Sequence, residues 1–236
     1  MKLQPQLIIF DVDGVLVDVR GSFHTSVLQT VHFFTGKRVT RAELHRWKNQ
    51  SGFNDDWKLS TAWVQSLGGT AVYDDVKRKF EEFYWGPNGR GSGNVAKEQW
   101  LLPRPNLRRL ARRAELALFT GRIRRELDYT LDRCRVREFF GHIITAEDIQ
   151  HGKPHPEGLL AILSGRSPAS AIYVGDNIDD ALAARAAGIP FVGVLPQNRA
   201  ERSARRKLLR ENGAVAVLNE VRDLESCLVR ANRLLR

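Results

Sequence analysis

Five short apolar runs mark the chain, and each stops abruptly. Leu7-Ile8-Ile9-Phe10 stops at Asp11, 116–119 at Thr120, 142–144 at Thr145, 171–174 at Gly175-Asp176, and 191–194 at Leu195-Pro196. A continuous apolar run of this length reads as a strand buried on both faces, as in a parallel sheet. Amphipathic stretches at 107–114, 124–134, 157–163 and 179–187 lie between the runs, and Gly188 stands where a helix C-cap belongs. Strand alternating with helix predicts right-handed crossovers and an α/β fold built on a doubly wound parallel sheet. Ligands of such sheets bind beyond the carboxyl ends of the strands. Asp11, Thr120 and Asp176 stand at those ends.

Residues 19–102 follow a different pattern, with no run of strand type. Phe23, Val27, Leu28, Val31 and Phe34 recur at helical spacing, and Thr40-Arg41-Ala42-Glu43 is a capping-box pattern opening another helix. Stretches 60–67, closed by Gly68-Gly69, and 74–85 predict two more, and all five tryptophans fall in this segment. The expectation is an all-α cap domain at 19–102, inserted into an α/β core made of 1–18 and 103–236. The glycine-rich stretch 86–93 lacks the Gly-Lys-Ser/Thr ending of a phosphate-binding loop and follows no strand, so it reads as a flexible connector. Val221, Leu224, Leu228, Ala231 and Leu235 predict a last amphipathic helix docked on the core.

Composition bears on compartment and partners. With 42% hydrophobic and 27% charged residues the chain reads as a soluble globular protein, and wholesale disorder is excluded. No apolar run approaches the roughly 18 residues of a membrane helix. The first residues carry no secretory pattern, and Cys134 and Cys227 make neither a disulfide framework nor a zinc site. A reduced, cytoplasmic protein with no membrane attachment is expected, as a monomer or homodimer. The formal charge of +10 makes nucleic acid a partner to weigh. Residues 199–210 hold six basic side chains against one acid, and 104–113 hold five arginines and no acid. In the second stretch Leu107, Leu110, Ala111 and Ala114 keep an apolar helix face with the arginines opposite. That is the pattern of a solvated face; a polyanion-binding patch is the alternative.

The strand ends carry the chemistry. Asp11 and Asp13 lie two residues apart past the first strand, and Gly14 lets the chain turn behind them. Thr120-Gly121-Arg122 offers a hydroxyl, an unhindered amide and a guanidinium at another end. Lys153 lies in Gly152-Lys153-Pro154-His155-Pro156 before a helix, and Asp176, Asp179 and Asp180 add carboxylates at a fourth strand end. Repelling carboxylates at the mouth of an apolar sheet call for a cation, and hard oxygen donors favour Mg²⁺. Such an ion with a lysine suits a dianionic phosphoryl group. One carboxylate can then serve as nucleophile and a second, two residues on, as proton donor and later as base towards water.

Four segments together resemble the haloacid dehalogenase superfamily, in its phosphoglycolate-phosphatase-like branch. They are Asp-x-Asp-Gly-Val-Leu-x-Asp, Phe-Thr-Gly-Arg, Gly-Lys-Pro-x-Pro-Glu and Val-Gly-Asp-x-x-Asp-Asp-x-x-Ala-Ala. The resemblance implies a Rossmann-like core, Asp11 as nucleophile, Asp13 as acid/base, Thr120 as the second-motif hydroxyl and Lys153 as the phosphate-binding lysine. It implies Mg²⁺ held by the Asp11 carboxylate, the Asp13 carbonyl and the Asp176 carboxylate. Asp180, with Asp179 in a similar position, would orient Lys153 or a metal-bound water. Asp18 is read as structural, at the hinge into the insert. The long gap from Asp11 to Thr120, against the short one from Thr120 to Lys153, matches relatives whose helical cap is inserted after the first motif.

Within that resemblance, Asp13 argues against dehalogenases, phosphonate hydrolases and transport ATPases. Val19 and Phe23 replace the threonine and histidine common in sugar-phosphate mutases, which lowers that reading. What remains is a phosphatase acting on a small phosphorylated metabolite. A phosphatase of nucleic-acid ends, or a basic nucleic-acid-binding relative, is the alternative and is not favoured. Gly121 and Arg122 are candidate phosphate or substrate contacts, with surface ion pairing the other reading of Arg122. The polar turn 48–57 is read as a specificity loop, with Asn54 and Trp57 reaching the leaving group; a capping turn with core aromatics is its alternative.

Overall fold

The computed structural model describes residues 4–53 and 55–233. Its main sheet has six parallel strands in the order β5-β4-β1-β6-β7-β8. These are β1 (Leu7–Phe10), β4 (Glu115–Phe119), β5 (His142–Ile144), β6 (Ala171–Gly175), β7 (Phe191–Val194) and β8 (Ala216–Leu218). The first five are the apolar runs read from the sequence. β8 was not anticipated: it is a three-residue edge strand with only Leu218 buried, although 214–218 is itself a continuous apolar run. β2 (Val17–Asp18) and β3 (Gln99–Trp100) pair as a separate two-stranded ribbon, so the segment expected to be wholly helical ends in extended chain.

The central position of β1 follows from the crossovers. The chain runs from β1 to β4 and β5, then returns across the sheet to β6, β7 and β8. Phe10 is therefore level with Leu118 on one side and Val174 on the other. The residues just past those strands, Asp11, Thr120 and Asp176, leave adjacent strand ends at the point where the winding reverses.

Strand alternation sorts the core. Leu7, Ile9, Ala117, Phe119, Ala171 and Tyr173 pack in one cluster with α7 (Glu157–Leu163), α8 (Ile178–Ala186) and Leu209 of α9 (Arg202–Glu211). Among its described residues that cluster holds none from α5 (Arg104–Ala111) or α6 (Arg124–Cys134). Right-handed crossovers to β4 and β5 place those two helices on the opposite face. α10 (Leu224–Arg233) ends the described chain; Leu224 and Leu228 are buried, while Leu235 lies outside the described residues.

Two compact units result, one of Asp18–Gln99 and one of the residues on either side of it. The Asp18–Gln99 unit contains α1 (Phe23–Thr35), α2 (Arg41–Lys48), α3 (Asp56–Ser66) and α4 (Tyr73–Trp85). The predicted capping box is present: the Thr40 side chain accepts from the Glu43 amide while Glu43 accepts from the Thr40 amide. α3 starts four residues before the predicted position 60 because Asp55 caps it, accepting from the Trp57 and Lys58 amides. Phe23 stacks on Tyr84 at 4.4 Å, Trp63 and Trp85 are buried, and Trp47 packs on Phe53 and Trp63, so these rings form the unit's core. The stretch 86–93 is a closed turn, not an open connector, since the Gly91 and Gly93 amides both donate to the Trp85 carbonyl. Among the described residues no helix is long and apolar enough to cross a membrane.

α7 lies close on β4 because Gly158 has no side chain. A Cβ there would sit 2.3 Å from the Phe119 ring. Gly158→Ala is expected to destabilise the protein by about 1–3 kcal/mol through overpacking, read as a lower denaturant midpoint with unchanged slope.

Candidate active site

The segment after β1 folds back at once. The Leu16 and Val17 amides both donate to the Val12 carbonyl, and the Gly14 amide donates to the Val17 carbonyl. Gly14 takes φ +77°, and a Cβ on it would lie 2.1 Å from Asp176 Oδ2. Glycine is thus required twice at this position, by the backbone and by the carboxylate leaning against it.

Lys153 is the centre of the cluster. Its Nζ donates to Asp11 Oδ1 at 2.7 Å and to Asp180 Oδ1 at 2.8 Å, and its side chain is 1% exposed. The ammonium also lies 5.0 Å from the Phe119 ring centre and 5.5 Å from that of Tyr173. Burial alone would lower its proton affinity, but the Asp11 and Asp180 carboxylates more than offset this and hold it above the usual lysine range. Burial pushes Asp11 well above the ordinary carboxylate range, opposed by Lys153 and reinforced by Asp180, Asp13 and Asp176.

Asp180 is fully engaged. Its Oδ1 accepts from Lys153 and from the Tyr173 hydroxyl at 2.8 Å, and its Oδ2 accepts from the Asp176 and Asn177 amides at 3.1 and 3.2 Å. Asn177 in turn caps α8, accepting from the Asp180 amide. Burial, then the Asp180 charge, push the Tyr173 phenol well above its usual range, so it serves as a donor. Asp179, the neighbour in the first turn of α8, is buried.

Asp13 is held from the other side. Arg122 donates to Asp13 Oδ1 through Nε at 2.8 Å and a terminal nitrogen at 2.6 Å, and to the Thr130 hydroxyl at 2.8 Å. The Arg122 side chain is fully buried while that of Asp13 is 32% exposed. Surface ion pairing is therefore not the role of Arg122: its guanidinium is part of the interior and fixes the second aspartate. Thr120 is buried, its amide donates to the Ile144 carbonyl and its hydroxyl accepts from the Arg122 amide; Gly121 is exposed in the turn.

The cluster fits a divalent cation. Asp11, Asp13, Asp176 and Asp180 face two cationic side chains, Lys153 and Arg122, which leaves a formal excess of two negative charges. Carboxylate oxygens of Asp11, Asp176 and Asp180 lie within 4.8 Å of one another. Because both Asp180 oxygens already accept two hydrogen bonds each, Asp11 and Asp176 are the better donors. All are hard oxygens, suited to Mg²⁺.

In the Asp18–Gln99 unit, Trp57 is half-buried in the first turn of α3, 4.1 Å below the Lys77 ammonium and edge-on to Phe80. Its indole N–H is buried with no hydrogen-bond partner among the described residues. Asn54 lies outside the described residues. Asp18 pairs with Arg20 at 2.6 Å.

Residues 5–188 match the family model described as haloacid dehalogenase-like hydrolase. The chain belongs to this family. Among curated relatives, an imidazoleglycerol-phosphate dehydratase of Phytophthora nicotianae is 33% identical over 228 residues, covering 90% of this chain and 50% of that protein. The chain thus spans half the length of that relative. A phosphoglycolate phosphatase of Salmonella typhi is 26% identical over 210 residues, covering 79% of this chain and 80% of that one. In structure, a phosphonoacetaldehyde hydrolase-like protein from Oleispira antarctica superposes with a TM-score of 0.76 at 20% identity, over 98% of this chain and 94% of that one. That likeness is one of fold.

The features that sequence reasoning missed in this haloacid dehalogenase-like hydrolase are Tyr173, Thr130 and the Arg122–Asp13 pair. Tyr173 sits inside an apolar strand run, where nothing separates a buried donor from a core ring. Lys153→Met is expected to cost on the order of 3 kcal/mol at pH 7, because it strands two buried carboxylates. In the variant the buried Asp11 carboxyl, without the lysine that opposes its upward shift, titrates higher when folded than when unfolded, so the penalty should shrink as pH falls from 7 to 5. Urea denaturation of both proteins at the two pH values measures this.

Proposed function

We propose that the protein is a Mg²⁺-dependent phosphatase that hydrolyses a small phosphate monoester through an aspartyl-phosphate on Asp11. The observation that carries this reading is the buried Lys153 bonded to both Asp11 and Asp180 at the strand ends. A lysine kept cationic beside the nucleophile neutralises the phosphoryl group as it arrives. Asp11 and Asp176 carboxylates with the Asp13 carbonyl would hold Mg²⁺, which supplies charge compensation to the phosphoryl oxygens.

The chain's own groups account for the proton and bond changes. An Asp11 oxygen attacks phosphorus while the ester P–O bond breaks, and the leaving oxygen takes a proton from Asp13. Arg122 grips Asp13 Oδ1, so Oδ2 is the oxygen presented for that transfer. Asp13 then removes a proton from water, which attacks phosphorus and frees phosphate and Asp11. The Thr120 hydroxyl donates to a phosphoryl oxygen, and Asp180 with Tyr173 keeps Lys153 in place.

The arginine distribution supports a metabolite over a polynucleotide. Stretch 104–113 and stretch 199–210 flank the sheet on opposite faces, so they form no single stripe. Arg104 pairs with Glu138 at 2.6 Å and Arg109 with Glu225 at 2.7 Å, while Arg202 and Arg206 donate to the Pro196 and Val217 carbonyls. A cytoplasmic location accords with such a substrate. The turn 48–57, with Asn54 and Trp57, is proposed to select the leaving group; Trp57, only half-buried in the first turn of α3, is the support for it.

A panel containing phosphoglycolate, imidazoleglycerol phosphate, sugar and polyol phosphates and oligonucleotides with terminal phosphates tests the reading. Phosphate release from one small ester is expected, lost with EDTA, restored by Mg²⁺, and down by about 10⁴-fold or more in Asp11→Asn. Release confined to oligonucleotides, or full activity in Asp11→Asn, would overturn it. Trp57→Ala is expected to change the ranking of the esters in kcat/KM; an unchanged ranking removes the specificity role of that residue.

A further inference from the structure

The loop that carries Lys153 has a second face. The His155 amide donates to the Gly152 carbonyl at 3.1 Å, closing a turn that sends Lys153 inward to Asp11 and Asp180. The residues on either side, His151 and His155, stay outside with their rings 4.8 Å apart between centres. Their side chains are 63% and 52% exposed.

Glu157, the first residue of α7, completes a trio. Its carboxylate accepts from the Gln150 amide at 2.8 Å and the His151 amide at 3.0 Å, which fixes its direction. Those bonds, the Gln150 amide first and the His151 ring next, hold its carboxyl below the usual range. His151 Nδ1 lies 2.9 Å and His155 Nδ1 3.8 Å from Glu157 Oε2; the Glu157 amide also donates to His155 Nδ1 at 3.3 Å, a bond that metal ligation through this nitrogen would replace. One ligand atom from each of the three side chains falls within 4.8 Å of the other two.

We propose that His151, His155 and Glu157 bind one divalent transition-metal ion of the zinc class on the outer face of the Lys153 loop. Tetrahedral zinc with bonds near 2.0–2.1 Å sets its donors about 3.4 Å apart, and the two observed separations from Glu157 Oε2 bracket that spacing. Two imidazoles and one carboxylate select Zn²⁺, Ni²⁺, Cu²⁺ or Co²⁺ over Mg²⁺, so this donor set differs in kind from the all-oxygen set of Asp11 and Asp176. Three protein donors leave a coordination position for water or a further ligand. The bound ion clamps the turn at both ends of the segment bearing Lys153. Neither the site nor its test depends on the phosphatase reading.

Calorimetric titration of the untagged full chain with Zn²⁺, in excess Mg²⁺, tests the proposal, with Co²⁺ absorption as the report on coordination geometry. One Zn²⁺ per chain is expected, bound equally well by Asp11→Asn. His151→Ala and His155→Ala should each weaken binding by about tenfold or more, and the double variant should abolish both the heat and the tetrahedral Co²⁺ bands. Absence of saturable binding, or binding that survives the double variant and is lost in Asp11→Asn, would overturn the assignment.

Discussion

An ammonium group with almost no exposure to water sits between two carboxylates, and much of the molecule is arranged around that contact. Lys153 would shed its proton in so apolar a setting if Asp11 and Asp180 were not within 2.8 Å. Each carboxylate depends on it in turn, since burial drives Asp11 towards its neutral form. The three side chains come from the end of β1, from the turn before α7 and from the first turn of α8. None can reach the others until β1 and β6 are paired and both helices are docked. Gly158, which lets α7 approach Phe119, and Tyr173, which anchors Asp180, therefore belong to the site as much as to the core.

The same arrangement separates two chemically identical residues. Asp11 is buried and shares a lysine with a third carboxylate, whereas Asp13 is a third exposed and gripped at one oxygen by a buried arginine. Different surroundings for paired acids are the usual means of giving them different tasks at one pH. In the proposed reaction the first forms the bond to phosphorus and the second handles protons. Arg122 acts through Asp13 as a positioning residue.

Charge on this protein is less available than its total suggests. A net charge of +10 invites a polyanion, yet several arginines of the two basic stretches are tied to Glu138, Glu225 and backbone carbonyls. The helices bearing them cover opposite faces of the sheet. The negative excess at the strand ends is, by contrast, concentrated in one place, which is where a cation and a phosphoryl group find complementary partners.

Short hydrophobic runs were enough to locate five of the six core strands, because strands of a covered parallel sheet are apolar along most of their length; β1, β6 and β7 are buried throughout. The ends of the runs marked Asp11, Thr120 and Asp176, since the chain becomes polar where it leaves the sheet. Capping chemistry at Thr40 was equally legible, being local to four residues. What the sequence could not reveal involved side-chain and loop directions: Arg122 turned inward onto Asp13, 109 residues away, Tyr173 bonded to Asp180 across the end of β6, and 86–93 closed on the Trp85 carbonyl. Edge strand β8 was as legible as edge strand β5, since 214–218 is an unbroken apolar run, but it was passed over. Strand identity depends on neighbours a few residues away and is written into the pattern. The direction of a buried arginine or phenol depends on which carboxylate the folded chain brings within about 3 Å, and only tertiary packing decides that.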